Sequence, residues 1–142
     1  MRNIMVATDG SAGANRAVDA AAALARDIGG ALWIVTVGRP VSADDKTQFE
    51  QVEGDVADAA EIFAQQILHD AEQTARRSGI ATPKTHLIWG DPAKAILDII
   101  QQEKVDAIVV GRRGRGHLSA LLLGSVSQKL ASLARCIVII VP

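Results

Sequence analysis

A chain of 142 residues with a net charge of −1 fits one domain with a real core, and it carries no overall field to attract nucleic acid or acidic lipid. About half of it is apolar (49%), yet two Trp, two Phe and no Tyr leave the core to Ala, Val, Ile and Leu. The single cysteine, Cys136, cannot form an internal disulfide, and the apolar run at residues 4–7 is too short for a signal peptide or a membrane span, so the expectation is a cytoplasmic protein with no membrane or nucleic-acid partner.

In chain order the pattern is β-α-β-α-β-α-β-α-β. Residues 3–8 read as the first strand. Ala14, Ala17, Val18, Ala21, Leu24, Ala25 and Ile28 then recur at helical spacing. Ser11 is placed to cap that helix and Gly29-Gly30 to end it. A second strand is expected at 31–37. A helix follows over about residues 55–78, with Val56, Ala60, Phe63, Ile67, Ala71 and Ala75 on its inner face and Gly79 as its stop. A short strand spans 85–88. Asp91-Pro92 is a helix start, a side-chain cap followed by proline in the first turn, and Ile96, Ile99 and Ile100 face inward from it. Strand four covers 107–110, the last helix 125–133 and the last strand 137–141. Neither an internal repeat nor a second domain is visible, so residues 1–142 read as one domain. Strands alternating with helices imply a parallel sheet with helices on both faces, and ligands of such sheets bind beyond the carboxyl ends of the strands.

The most informative segment follows the fourth strand. There Gly111, Gly114 and Gly116 lie close together, and Gly124 introduces Ser125-Val126-Ser127 and an amphipathic stretch. A strand feeding a glycine-rich loop, and the loop feeding a helix start, gathers backbone N–H groups suited to a phosphate. The loop misses two better-known motifs. Gly111 to Gly116 has the glycine spacing of a Walker A loop, but His117 stands where its lysine would be. From Gly114 the third glycine of a dinucleotide fingerprint is absent. The competing reading is a surface loop with glycines for turning and arginines for solubility.

Gly111, Gly114, Gly124 and Ser125 match the G-x2-G-x9-G-[ST] signature of ATP-binding universal stress proteins. The opening NIMVATDGSAGANRAV and the stretch WGDPAKAILDIIQQEKVDAIVVGRRGRG resemble that family too, so the likeness spans nearly the whole chain. The resemblance implies an open five-stranded Rossmann-like sheet, of the adenine nucleotide alpha hydrolase type, with strand order 3-2-1-4-5. It implies ATP on Gly111, Gly114, Gly124, Ser125, Val126 and Ser127, with Gly111 and Gly114 giving close approach and positive φ, and the serines giving hydroxyl donors. It places Asp9 towards the nucleoside, against the plainer reading of a turn or cap aspartate. It places Ala7 and Val37 at the base, read by backbone polar groups. Arg112, Arg113, Arg115, Gly116 and His117 complete the candidate ATP-binding set, with the direction of the charged side chains open. Mg²⁺ would be held mainly by the phosphates, and no protein metal site is expected.

By the same resemblance the chain is a stress-response regulator working as a homodimer through residues 137–141, with a further regulatory partner protein. An apolar edge strand without charge or proline needs such cover. The alternative is a slow ATPase or self-phosphorylating enzyme on the same site, with Ser119, Ser125 or Ser127 as acceptor. The loop supplies no base and no carboxylate for Mg²⁺, so no catalytic residue is assigned. Trp33 and Trp89 are expected in the core, Cys136 beside the last strand, and His69 and His86 as isolated histidines. The connection at 38–54 and the helix start after it carry seven acids and one lysine between Asp44 and Glu61. A solvated loop into an acid-favouring helix start is preferred there over a lid.

Overall fold

The computed structural model describes residues 1–38, 53–112 and 123–142, with the side chains of 53–57 excepted. Five strands, β1 (Asn3–Ala7), β2 (Ala31–Gly38), β3 (Lys84–Trp89), β4 (Ala107–Gly111) and β5 (Ile137–Val141), form one parallel sheet in the order β3-β2-β1-β4-β5. Among the described residues four helices connect them: α1 (Ala12–Ile28), α2 (Glu53–Arg77), α3 (Pro92–Gln102) and α4 (Ser125–Leu133). The expected fold, helices on both faces and strand order included, is the observed one.

Strand alternation divides the core in two. Ile4, Val6, Leu32, Ile34, Ala107 and Val109 face α1 and α2, while Met5, Val35, Ile108 and Val110 face α3 and α4. Full burial of each Val, Leu, Ile or Met side chain among these stabilises the fold by about 1.5–3 kcal/mol. The helices differ in how they fill their side. α1 presents Ala17, Val18, Ala21, Ala22 and Ala25, small residues that let its backbone come close to the sheet. α3 instead brings Ile96, Ile99 and Ile100. No helix among the described residues is long and apolar enough to cross a membrane.

Three side chains depart from expectation. The inner line of α2 is Ala64, Leu68, Ala71 and Ala75, so Phe63 lies off it and is 56% exposed. A helix turns about 100° per residue, and a stripe read one position out at its start points its large residue sideways. Ile28, at the last turn of α1, is also exposed. Trp89, expected in the core, ends the edge strand β3 and is 44% exposed. Trp33 is half-buried and stacks flat on His86, with ring centroids 5.2 Å apart and planes 7° from parallel, and the Lys84 ammonium lies 4.5 Å from its ring centre. Cys136 is half-buried beside β5, and its desolvation pushes the thiol pKa up.

Candidate functional site

β1 and β4 are neighbours, with Val6 level with Val109, so both leave the sheet at the same edge. Two connections therefore meet there: the turn from β1 into α1, and the segment from β4 to α4.

The first turn is bonded to itself. Thr8 continues the pairing of β1, its N–H donating to the Val35 carbonyl at 2.9 Å. Its own carbonyl accepts the Thr36 hydroxyl, and both threonines are buried. Gly10 adopts φ 80°, a left-handed conformation that glycine takes without steric cost. The Gly10 amide donates to Thr8 Oγ1 at 3.2 Å and the Ser11 amide to Asp9 Oδ1 at 2.9 Å. Ser11 caps α1 as expected, its Oγ accepting the Ala14 amide at 3.2 Å. One oxygen of Asp9 is thus engaged in the turn, as the plainer reading required.

The second connection is anchored at its two ends. The Arg112 amide donates to the Val141 carbonyl at 2.8 Å, and the Gly124 amide donates back to the Arg112 carbonyl at 2.9 Å. The Ser127 hydroxyl, in the first turn of α4, donates to the Gly111 carbonyl at 2.7 Å. Together these bonds hold the start of α4 against the end of β4. The helix begins on Gly124, which offers no side chain, so among the described residues no side-chain cap meets its first amides. In α1 and α3 that task is done by Ser11 and Asp91. Arg112 lies at the same edge, and its Nε is buried with no hydrogen-bond partner among the described residues. An uncapped helix start carries partial positive charge and donors aimed outward, which suits an anion.

Ala7 and Val37 are half-buried at the ends of β1 and β2, Ser125 is exposed, Val126 is half-buried and Gly124 is buried. Arg113, Gly114, Arg115, Gly116, His117 and Ser119 lie outside the described residues. Two roles change. Ser127 is 3% exposed and spends its proton on Gly111, so its hydroxyl serves the fold rather than donating to a phosphate. Gly111 is not among the positive-φ glycines. A Cβ there would lie 2.9 Å from the Gly13 carbonyl carbon and 3.0 Å from its oxygen, so glycine is required by the close approach of α1. Thr8, Gly13 and Thr36 were not singled out from sequence. A glycine in a helix's first turn and buried threonines at strand ends were the available signals. Among the described residues no group of three or more His, Cys, Asp or Glu could hold a metal ion.

Comparison with known proteins places this geometry. The chain matches the Universal stress protein family over residues 1–142. It is 34% identical to Universal stress protein YxiE of Bacillus subtilis, with 97% of each chain covered. A universal stress protein solved in complex with cAMP is similar in structure, with TM-score 0.75, 29% identity and coverage of 99% of this chain and 97% of that one. So is the universal stress protein from Archaeoglobus fulgidus in complex with dAMP, with TM-score 0.73, 25% identity and coverage of 100% and 98%.

Proposed function

The chain belongs to the universal stress protein family, and from that premise we propose that it is a nucleotide-binding regulator whose ligand is ATP. The observation that carries this reading is the glycine-led, uncapped start of α4, set across one sheet edge from the turn at Asp9. Two similar proteins are described as complexes with adenine nucleotides, cAMP and dAMP, which supports the same ligand class here. The phosphates take the amides of Ser125, Val126 and Ser127, the Ser125 hydroxyl and the Arg112 guanidinium, and the glycine signature extends the proposed set to Gly114 and its neighbours. The Asp9 turn faces the nucleoside, and backbone groups at Ala7 and Val37 read the base. Mg²⁺ rides mainly on the phosphates.

The protein works in the cytoplasm as a homodimer through β5 and passes its nucleotide state to a regulatory partner. The edge position of β5 and the half-exposed Ile137 support that assembly. ATP acts as a ligand more than as a substrate. Without a Walker lysine or a carboxylate aimed at the γ-phosphate, hydrolysis is expected to stay below about one turnover per second, the slow limit for kinases. Calorimetry of the purified protein with ATP, and with GTP as the weaker comparator, tests the reading. A folded protein that binds neither, and carries no nucleotide through purification, overturns it.

A further inference from the structure

The sheet edge that bears the candidate site holds one more distinctive group. β3 ends on Trp89, which is paired with Gly38 at the end of β2. The Gly90 amide donates to the Gly38 carbonyl at 3.2 Å and fixes the two strand ends together. A Cβ built on Gly38 would lie 2.5 Å from Trp89 Cζ3 and 2.6 Å from Cε3. The six-membered ring of the indole therefore rests against the Gly38 backbone, in space that any other residue would occupy. Despite this seat Trp89 remains 44% exposed. An indole ordinarily gains from full burial and from a partner for its N–H. Here it is held in one place by a glycine backbone while much of its surface faces outward, at the carboxyl edge of the sheet.

Its neighbour decides what it can meet. Gly38 follows Val37, whose backbone is the base-reading element in the function proposed above. A base lying along Val37 would approach the indole that sits over the next residue. We propose that Trp89 is a specificity-determining contact for the base of a bound purine nucleotide, with Gly38 as the seat that positions its ring. The inference rests on the nucleotide-binding reading and adds to it a side chain that prefers an aromatic base over a phosphate chain alone. The preference has a physical origin. Stacking on an aromatic side chain needs a π-face on the ligand, which every nucleobase has and inorganic phosphate lacks.

The test uses the full chain and two probes, ATP and inorganic tripolyphosphate. Trp33→Phe leaves Trp89 as the sole indole and keeps an aromatic ring against His86. In that variant saturating ATP is expected to change Trp89 emission, and tripolyphosphate is not. Trp89→Ala is expected to weaken ATP about tenfold while leaving tripolyphosphate affinity unchanged. Gly38→Ala, which unseats the ring without removing it, should weaken ATP in the same direction and add little to Trp89→Ala. Normal ATP binding with silent Trp89 emission and an unaffected Trp89→Ala variant overturns this inference alone. Failure of the unmodified protein to bind ATP overturns both this inference and the function on which it rests.

Discussion

The two connections that meet at the carboxyl edge of β1 and β4 solve the same problem in opposite ways. Each must end a strand and begin a helix, leaving several helix amides without partners in their own helix. The β1–α1 turn satisfies its donors internally, through Thr8 Oγ1, Asp9 Oδ1 and Ser11 Oγ. The β4–α4 connection ties down its ends through Arg112, Gly124 and Ser127 but leaves the helix start without a side-chain cap. Side by side they make a self-bonded wall and, in the function proposed here, the receptor for phosphate. A side-chain cap is given up at only one of the two helix starts, the one to which the proposed function assigns the phosphates.

The largest effect is expected where the two regions touch. Gly111→Val would set a Cβ against the backbone of Gly13, which cannot turn aside as a side chain could. Overpacking of this kind destabilises by about 1–3 kcal/mol, and contact with backbone puts this site at the upper end. Because α1 and β4 would be pushed apart, both connections move, and nucleotide affinity should fall with stability. Urea denaturation and ATP calorimetry on the same sample read the two quantities. Unchanged stability would show that the close approach of α1 and β4 is not tight.

Ser127→Ala and Ser11→Ala separate the receptor from the wall. Removing the Ser127 hydroxyl leaves the partly buried Gly111 carbonyl short of a donor, for a loss of about 1 kcal/mol. The start of α4 also loses its tie to β4, so ATP should bind several-fold more weakly. Ser11→Ala removes a helix cap, for about 1 kcal/mol, and leaves the receptor in place. Its ATP affinity should therefore change little. If the two variants lose stability and affinity in the same proportion, the division of labour between the connections does not hold.

The sequence carried this arrangement unevenly, for physical reasons. Strand and helix positions follow from periodicities that burial enforces, and the strands and most of the inner residues of α1 and α3 lie where periodicity puts them. The caps Ser11 and Asp91 were legible because short polar side chains before a helix have one favoured use. The purpose of a glycine is harder to read, since a missing side chain serves several ends. Gly111 looked like a residue for ligand approach and turned out to be demanded by α1. Ser127 looked like a ligand donor, but its depth and its bond to Gly111 depend on how the helix docks. Phe63 and Trp89 show the remaining limit: a large apolar residue announces the core, yet edge strands and helix flanks expose some of them. Strand order came from family resemblance rather than from pattern, because pairing between strands far apart in sequence leaves no local signal.

The smallest effect is expected at the opposite end of the same strand pair, where nothing is left open. Asp106, just before β4, accepts the Arg2 amide at 2.7 Å and the Asn3 amide at 2.8 Å through Oδ2, closing the start of β1 onto the start of β4. The amide of Arg2 and then that of Asn3 hold its carboxyl below the ordinary value of 3.8, against a smaller opposing effect of burial. A carboxyl whose pKa is lowered by folding stabilises the native state above its unfolded pKa. That contribution is lost as pH falls through the unfolded value and on through the folded one. Asp106→Asn should therefore be less stable than the unmodified chain at neutral pH. The gap should begin to narrow as pH drops below about 3.8 and be smallest below the folded value, where both chains present a neutral group to the two amides. ATP affinity at neutral pH should not follow, since the receptor lies a strand's length away. Thermal melts across a pH series measure the gap. A gap that stays constant from neutral to acid would mean that the charge on Asp106 contributes nothing, and that the two strand starts are held by shape alone.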